Sequence, residues 1–182
     1  MWWLWACAGR VALQGETGGG SVPVEDTTPE VLSSTACGAC GGDCLLEELS
    51  YAVSYHTVAP IDYADTPPAG GPHHPCWTTF GVHDDAVEDE HWVHNLEHGG
   101  VALLHACTAC DADVASLEAV ATSSPFGLAL PYPGMASPFA AVSWGWRLTL
   151  GCWDEEAVAT FSAEHENRAP ESVLADPGAN CM

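Results

Sequence analysis

Apolar residues recur with a clear period in only a few short segments of this chain. Helical spacing predicts one helix over residues 111–122 and a second that begins after Asp154, a residue suited to an N-cap. Apolar or alternating runs predict short strands at residues 50–56, 101–104, 139–146 and 147–150, and one helical turn at residues 45–49. Elements in this order, without a regular βαβ rhythm, favour an α+β fold with a small antiparallel or mixed sheet and two or three helices.

The segments between these elements have no hydrophobic period. Residues 57–93 contain five prolines, and residues 123–138 are also rich in Pro and Gly, so both are predicted to be long loops. Residues 9–35 are rich in Gly, Ser, Thr and acid, which predicts a flexible tether. We therefore expect a lipoprotein-like N-terminus with its tether over residues 1–36, one domain over residues 37–172, and a tail over residues 173–182.

The charge of the chain excludes several classes of partner. Among its 182 residues, 25 are acidic and only three are basic, which gives a net charge of −22. A surface this negative repels phosphate backbones and anionic lipid headgroups, so nucleic-acid binding and electrostatic membrane binding are not expected. Cations would be attracted to it, although solubility alone also explains such a charge.

The histidines suggest chemistry. Seven of the nine lie within 39 residues, at positions 73, 74, 83, 91, 94, 98 and 105. His94 and His98 are four residues apart, so one helical turn would place both on one face, with Cβ atoms about 5–6 Å apart. In a strand they would be about 13 Å apart and could not chelate one ion. A metal site built on this pair therefore requires residues 94–98 to be helical.

The same string, His94-Asn-Leu-Glu-His98, matches the inverted motif of zinc peptidases, in which the glutamate is the general base. Such enzymes need a long helix, whereas Gly99 and Gly100 would end this one at once. Glu97 could instead be a ligand, or an acceptor for an imidazole N–H. Its role is left open among these three.

Two histidines do not complete a metal site. His73, held with His74 between two prolines, is the best further ligand, and His56 is the fourth candidate, followed by His91, His83 and His105. Coordination rich in imidazole suits copper or zinc better than calcium or magnesium. The sequence thus predicts a transition-metal site, copper or zinc, with His73, His94, His98 and His56 as ligands.

Nine cysteines indicate an oxidising compartment. Cys7 follows a small residue as at bacterial lipoprotein cleavage sites, but residues 1–6 are too short for a signal peptide. Either the true start lies upstream and Cys7 is lipidated, or Cys7 is incidental. The remaining cysteines are the disulfide candidates Cys37, Cys40, Cys44, Cys76, Cys107, Cys110, Cys152 and Cys181.

The pairs Cys37-x-x-Cys40 and Cys107-x-x-Cys110 have other readings besides disulfides. Together they could form a four-thiolate zinc site, or one pair could be a redox dithiol. No βαβ pattern is apparent around either pair, which argues against a thioredoxin-like centre. Structural disulfides are favoured. Cross-links between the 37–44 cluster and the turn at residues 107–110 would pin the tether to the core, but spacing alone does not give the connectivity.

Several strings together resemble the bacterial family named domain of unknown function 3105. They are Pro67-Pro68, Gly70-Gly-Pro-His-His-Pro75, Val93-His-Asn-Leu-Glu-His-Gly-Gly-Val101 and Ser143-Trp-Gly145, with His56, Tyr63, Trp77, Gly81-Val82, Phe161, His165, Asn167 and Pro170-Glu171. The likeness covers about residues 51–172, and most of the cysteines listed above lie outside its pattern. The resemblance implies a secreted, lipid-anchored or membrane-tethered bacterial protein, and it implies no activity.

Three classes of function remain open from the sequence. The chain could be an exported metal-binding protein, periplasmic or at the cell surface, with membrane attachment only through Cys7. It could be a hydrolytic or redox metalloenzyme with an open metal position and Glu97 as general base. It could also be a non-metal interaction module stapled by disulfides. A periplasmic or cell-surface partner protein is compatible with all three.

Overall fold

A seven-stranded mixed sheet is the centre of the fold in the computed structural model, which describes residues 27–172. The strands lie in the order β1-β2-β7-β6-β4-β5-β3; β4 pairs in parallel with β5, as β5 does with β3, and every other pairing is antiparallel. The elements are β1 (Glu30–Ala36), a 3-10 turn (Ala39–Gly42), β2 (Cys44–Ser50), β3 (Gly81–Val82), α1 (Asp89–Glu97), β4 (Val101–His105), α2 (Asp111–Ala121), β5 (Gly127–Pro131), β6 (Phe139–Ser143), β7 (Trp146–Leu150) and α3 (Glu155–His165).

Both faces of the central strands are buried, because apolar residues fill β4 without alternation. Val101 and Leu103 pack on one face with residues of α2 and α3, while Ala102 and Leu104 pack on the other with residues of α1. A strand covered on both faces reads as a continuous apolar run, as this one does. The architecture is therefore α+β, as predicted, with α1 alone among the helices on the face that carries the histidines.

The predicted helices are confirmed. α2 occupies Asp111–Ala121, and α3 begins directly after Asp154, whose Oδ1 accepts a hydrogen bond from the Ala157 N–H at 3.0 Å. The strands predicted at residues 101–104, 139–146 and 147–150 correspond to β4, β6 and β7. The apolar runs in these segments are long enough to predict a strand.

Five assignments were wrong, and one of them is the predicted loop at residues 57–93, which contains β3 and the start of α1. Residues 45–49, predicted as a helical turn, form most of β2, and residues 50–56, predicted as a strand, have no strand of their own. Residues 30–36, assigned to the tether, form β1, and the predicted loop at residues 123–138 contains β5. Pairing explains these errors, because β2 is held between β1 and β7 and β5 between β4 and β3. Short apolar runs do not by themselves distinguish strand from turn.

One βαβ unit is present, although the sequence showed no such pattern. β4 and β5 are parallel neighbours, with Val101 opposite Gly127, and α2 is the helix that connects them. A Cβ atom built on Gly127 would collide with the carbonyl oxygen of Ala121, so only glycine fits this position. The helix can therefore turn back into β5 without a long loop.

Three disulfides join described cysteines: Cys37–Cys44, Cys40–Cys152 and Cys107–Cys110. Cys76 is also disulfide-bonded, and Cys7 and Cys181 lie outside the described residues. No disulfide joins the 37–44 cluster to residues 107–110; the cluster is joined to Cys152 through Cys40. These pairings also rule out the four-thiolate zinc site. Between residues 27 and 172, no helix has the length and apolar content needed to cross a membrane.

Gly99 lets the chain leave α1 and enter β4. Its φ is +89°, and a Cβ built on it would lie 2.7 Å from the Asn167 Cα. We expect Gly99→Ala to reduce the free energy of unfolding by about 3 kcal/mol, through backbone strain and this collision. Chemical unfolding would measure the loss. Gly134→Ala is the matched control, because Gly134 has a φ of +94° with open space around its Cβ position. Equal losses for the two variants would show that the collision with Asn167 adds nothing to the strain of the positive φ.

Candidate metal centre

α1 supplies two of the clustered side chains. It spans Asp89–Glu97, and His98 is its C-cap, so the segment is wound as the metal hypothesis required. Trp92, Val93 and Leu96 are fully buried in the core beneath the helix. His94 and Glu97, one turn apart on the helix, are also buried. The apolar positions of α1 thus fix the rotation of the helix. His94 and Glu97 are left to face the long loop between β2 and β3, residues 51–80, which covers the helix.

That loop contributes His56 and His73. The two residues form an isolated parallel bridge: the Thr57 N–H donates to the His73 carbonyl at 2.9 Å, and the His73 N–H donates to the Tyr55 carbonyl at 3.0 Å. His73 is fully buried, whereas the His56 side chain is 48% exposed. Backbone pairing therefore brings together two imidazoles that are 17 positions apart in the chain, one in the interior and one at the surface.

Hydrogen bonding fixes the orientation of the His73 ring. Its Nδ1 lies 2.8 Å from the carbonyl oxygen of Gly71. A carbonyl oxygen only accepts, so Nδ1 carries the proton and a neutral ring keeps its lone pair on Nε2. This Nε2 is buried, lies 2.9 Å from the Glu97 Oε2, and makes no aligned hydrogen bond. Two atoms that can each offer an electron pair, His73 Nε2 and Glu97 Oε2, therefore face one another, and a proton or a metal cation between them would stabilise the contact.

His56, His73, His94 and Glu97 can each offer a ligand atom, and these atoms all lie within 4.8 Å of one another. The ring centroids of the three histidines form a nearly equilateral triangle, with separations of 4.8, 4.8 and 4.9 Å. Ligand atoms at about 2.0–2.1 Å from a tetrahedral zinc would be about 3.3 Å apart. The distances from Glu97 Oε2 to His73 Nε2 and His56 Nε2, 2.9 and 3.6 Å, bracket that spacing. This buried group could hold a metal ion.

The local electrostatics suit cation binding. Burial, followed by the charges of His73, His98 and His56, lowers the pKa of His94 to about 3, so this ring is neutral at pH 7. Burial alone would raise the pKa of Glu97. Its interactions with His73 and its hydrogen bond from Ser54 outweigh burial and lower the pKa to about 2. The centre therefore combines an ionised carboxylate with an imidazole that keeps a free electron pair.

Asn95 and Trp77 hold the loop against α1. The sequence predicts no role for Asn95, and it suggests Trp77 only as part of a recognition surface in a non-metal interaction module. The buried Asn95 amide accepts from the Thr78 N–H at 3.1 Å and donates to the Thr78 carbonyl at 2.9 Å. The Trp77 ring packs edge-on against His94 and His98, with centroids 5.1 and 4.5 Å apart. Asn95 lies inside the His94-Asn-Leu-Glu-His98 string. Its side-chain amide, next to potential ligands, was the one sequence feature that could have indicated its supporting role.

The other histidines lie in different places. His98 is outside the four-residue cluster, although its Nε2 is 2.9 Å from the Nε2 of His94 and it forms a second group with Glu97 and Glu171. His74 and His91 contact each other, with ring centroids 4.3 Å apart. His83 bonds to the Thr79 carbonyl, and His105 ends β4. None of these last four belongs to a group of potential metal ligands within the described residues.

A cleft of about 410 Å³ opens beside the cluster. Leu49, Tyr51 and Trp144 form its apolar wall, while Ser54, Glu97 and Glu171 provide its polar groups. Because Glu97 lines both the cleft and the cluster, solvent or a small molecule in the cleft can approach the centre from this side.

Comparisons with curated proteins and with solved structures find no match for this chain. A protein-family model does match, over residues 55–182, and its description is "Protein of unknown function (DUF3105)". The matched residues include all four members of the cluster, and they agree with the resemblance noted in the sequence. The chain belongs to this family, the protein of unknown function family DUF3105.

Proposed function

We propose that this protein is an exported transition-metal-binding protein that holds one copper or zinc ion with His56, His73, His94 and Glu97. The observation that carries the proposal is the contact between His73 Nε2 and Glu97 Oε2 at 2.9 Å, inside a group whose four ligand atoms converge within 4.8 Å. Three imidazoles and one carboxylate are ligands that zinc accepts, and copper also binds imidazole well.

The second support for the proposal is that the ligands are held in place before any ion arrives. The Gly71 carbonyl orients the His73 ring, the Ser54 hydroxyl donates to Glu97 Oε1 at 3.1 Å, and Asn95 pins the covering loop to α1. Partners of this kind, which orient ligands without touching the ion, favour affinity. The net charge of −22 would also raise the local concentration of cations.

The role of Glu97 favours binding over catalysis. A general base works best when its pKa is near the working pH, whereas the pKa of Glu97 is lowered to about 2. We therefore assign Glu97 as a ligand. The metalloenzyme remains a second candidate function because of the cleft, which reaches Glu97 and would admit a substrate. In that case the exposed His56 would be the ligand most easily replaced by water.

Export and lipid anchoring belong to the same proposal. The disulfides formed by seven cysteines are typical of an oxidising compartment, which supports a periplasmic or cell-surface location. A lipid on Cys7 and a partner that delivers or receives the ion are further parts of the proposal. Labelling with a radioactive fatty acid in a bacterial host, compared between wild type and Cys7→Ala, would test the anchor.

Elemental analysis of the full chain, purified without a histidine tag, tests the metal. After dialysis against a weak chelator we expect about one copper or zinc per chain, together with a raised melting temperature relative to chelator-stripped protein. Glu97→Gln keeps the size of the side chain and should weaken binding by about a hundredfold or more. Metal-free protein whose melting temperature is unaffected by zinc or copper would instead favour the disulfide-stapled interaction module.

A further inference from the structure

The disulfide Cys107–Cys110 is separate from the candidate metal centre. It follows β4 in the chain, whereas the four cluster residues precede β4, and it packs with the other of the two hydrophobic cores. It joins the end of β4 to the start of α2, inside the βαβ unit formed by β4, α2 and β5. Cys107 and Cys110 pack at the edge of the core that α2 and α3 share, whereas α1 belongs to the other core. The βαβ context that the sequence seemed to lack is therefore present around this Cys-x-x-Cys pair.

The loop that carries the pair is held by its backbone. The Ala106 N–H donates to the Pro138 carbonyl at 2.9 Å, and the Cys110 carbonyl accepts from the N–H groups of Asp113 and Val114, each at 2.9 Å. On either side, β4 is largely buried, and α2 packs on the core through Leu117 and Ala121. Opening the disulfide would therefore release few constraints, because its two cysteines are only three positions apart. Opening Cys40–Cys152 would instead separate segments 112 positions apart.

The pair can also be reached by another molecule. Both cysteines are half-buried, and the two residues between them, Thr108 and Ala109, are exposed. A reacting thiol must approach the disulfide along its S–S axis, which requires an open face of this kind. The half-buried cysteines and the exposed dipeptide between them place the pair at the surface, where a peptide or small thiol can approach it.

The start of α2 would stabilise a thiolate. Cys110 is the N-cap of this 11-residue helix, and no side chain caps it by a hydrogen bond. Amide groups in a first helical turn, together with the helix dipole, favour a negative charge and lower a cysteine pKa. Asp111 and Asp113 in the same turn oppose that charge. Their repulsion raises the free energy of the thiolate form of the reduced pair and so opposes reduction of the disulfide.

We infer that Cys107 and Cys110 form a thiol–disulfide exchange site whose co-substrate is an exposed dithiol of a peptide or protein. A thiolate of the co-substrate attacks one sulfur of the pair, and the Cys107–Cys110 bond breaks as a mixed disulfide forms. The second thiolate of the co-substrate then displaces the protein. The co-substrate leaves as a disulfide, and its two electrons and two protons remain on the cysteine pair as two thiols. This inference uses none of the metal ligands and does not depend on the proposed function.

The test uses the oxidised full chain in chelator, incubated in glutathione buffers of increasing reducing strength. Free thiols are trapped with a maleimide and located by peptide mass spectrometry. We expect Cys107 and Cys110 to be labelled at least about tenfold faster than Cys37, Cys40, Cys44 and Cys152, with an unchanged circular dichroism spectrum. Labelling of all these cysteines at one rate, or loss of folded structure along with labelling of the pair, would overturn the inference.

A catalytic assay gives a second readout. Catalytic amounts of the chain should speed the oxidation of a reduced dithiol peptide by oxidised glutathione, and Cys107→Ala/Cys110→Ala should remove the acceleration. Asp111→Asn/Asp113→Asn should shift the glutathione equilibrium of the pair toward the dithiol by about threefold to tenfold, because two opposing charges are removed. An acceleration that persists in the double alanine variant would reject the site. If that variant does not fold, the order of labelling in the wild-type chain decides.

Discussion

Replacing His73 and His94 by alanine should reduce the affinity for zinc or copper by at least about a thousandfold. Loss of a group that only orients a ligand costs about ten- to hundredfold, and here two ligands themselves are removed. The remaining potential ligands would be His56, which is half-exposed, and Glu97. Competition titration against a chromogenic chelator measures the affinity, and elemental analysis measures the stoichiometry.

His74→Ala/His91→Ala is the matched control for that variant. It also removes one histidine from the loop and one from α1, and the two rings are in contact, with centroids 4.3 Å apart. They belong to no group of three potential ligands among the described residues. The control should therefore keep one metal per chain with nearly unchanged affinity. Similar losses in both double variants would show that metal binds to surface histidines in general, and the four-residue centre would be rejected.

A folded apo-protein is expected in the double variant, since the centre is supported by groups other than its ligands. The loop is fastened to α1 by Asn95 and by the hydrogen bond from the His74 N–H to the Glu90 carbonyl at 3.0 Å. The Tyr63 hydroxyl also donates to the Pro72 carbonyl at 2.6 Å. The metal-free double variant should therefore have the circular dichroism spectrum of the folded wild-type protein, although it no longer binds metal tightly.

The local part of the site could be predicted from sequence. The spacing of His94 and His98 predicted a helical turn, and α1 with His98 as its C-cap confirms that turn. The residue that joins His94 in the four-residue cluster, however, is Glu97 and not His98. His73 was a reasonable candidate because proline on each side limits its backbone. The convergence of His56 with His73, by contrast, depends on a backbone bridge between distant segments. Periodicity carries no information about such a bridge.

The parts of the fold that were missed share a dependence on distant partners. β1 and β2 are strands because they pair with each other and with β7, and β5 is a strand because it lies between β4 and β3. Local composition predicted a tether, a helical turn and a loop for the same residues. The pairing of Cys40 with Cys152 could likewise not be read from spacing, since connectivity follows the folded positions of the chain.

Arg147 connects the sheet to the loop that carries His73. It lies on β7 opposite Glu47 of β2, and its Nη2 is 3.0 Å from the Glu47 Oε2. Its Nη1 donates to the Asp65 Oδ2 at 2.8 Å and to the Pro67 carbonyl at 2.7 Å. The side chains of all three charged residues are no more than 15% exposed. One of only three basic residues in the chain therefore forms ion pairs with two mostly buried carboxylates.

Arg147→Met should lower the free energy of unfolding by about 3–5 kcal/mol, because removing one partner of a buried ion pair leaves uncompensated charge. Urea unfolding of the stripped protein measures the loss. Arg168→Met makes the same change of charge at an exposed position, so its effect should be within about 0.5 kcal/mol. Comparable losses in the two variants would show that the loss of stability comes from the change in net charge and not from the buried ion pairs of Arg147.

The pH dependence of the Arg147→Met variant identifies the carboxylate responsible. Burial raises the pKa of Asp65, while hydrogen bonds from Tyr51 and Arg147 and the charge of Arg147 oppose that rise. Without Arg147 the folded-state pKa rises further above the unfolded value, so the native state binds the proton more tightly than the unfolded chain does. The variant should therefore recover part of its stability as the pH falls through that raised pKa. Arg147→Met/Asp65→Asn should show the same recovery at pH 7, and a double variant no more stable than Arg147→Met would mean that Asp65 is not the source of the loss.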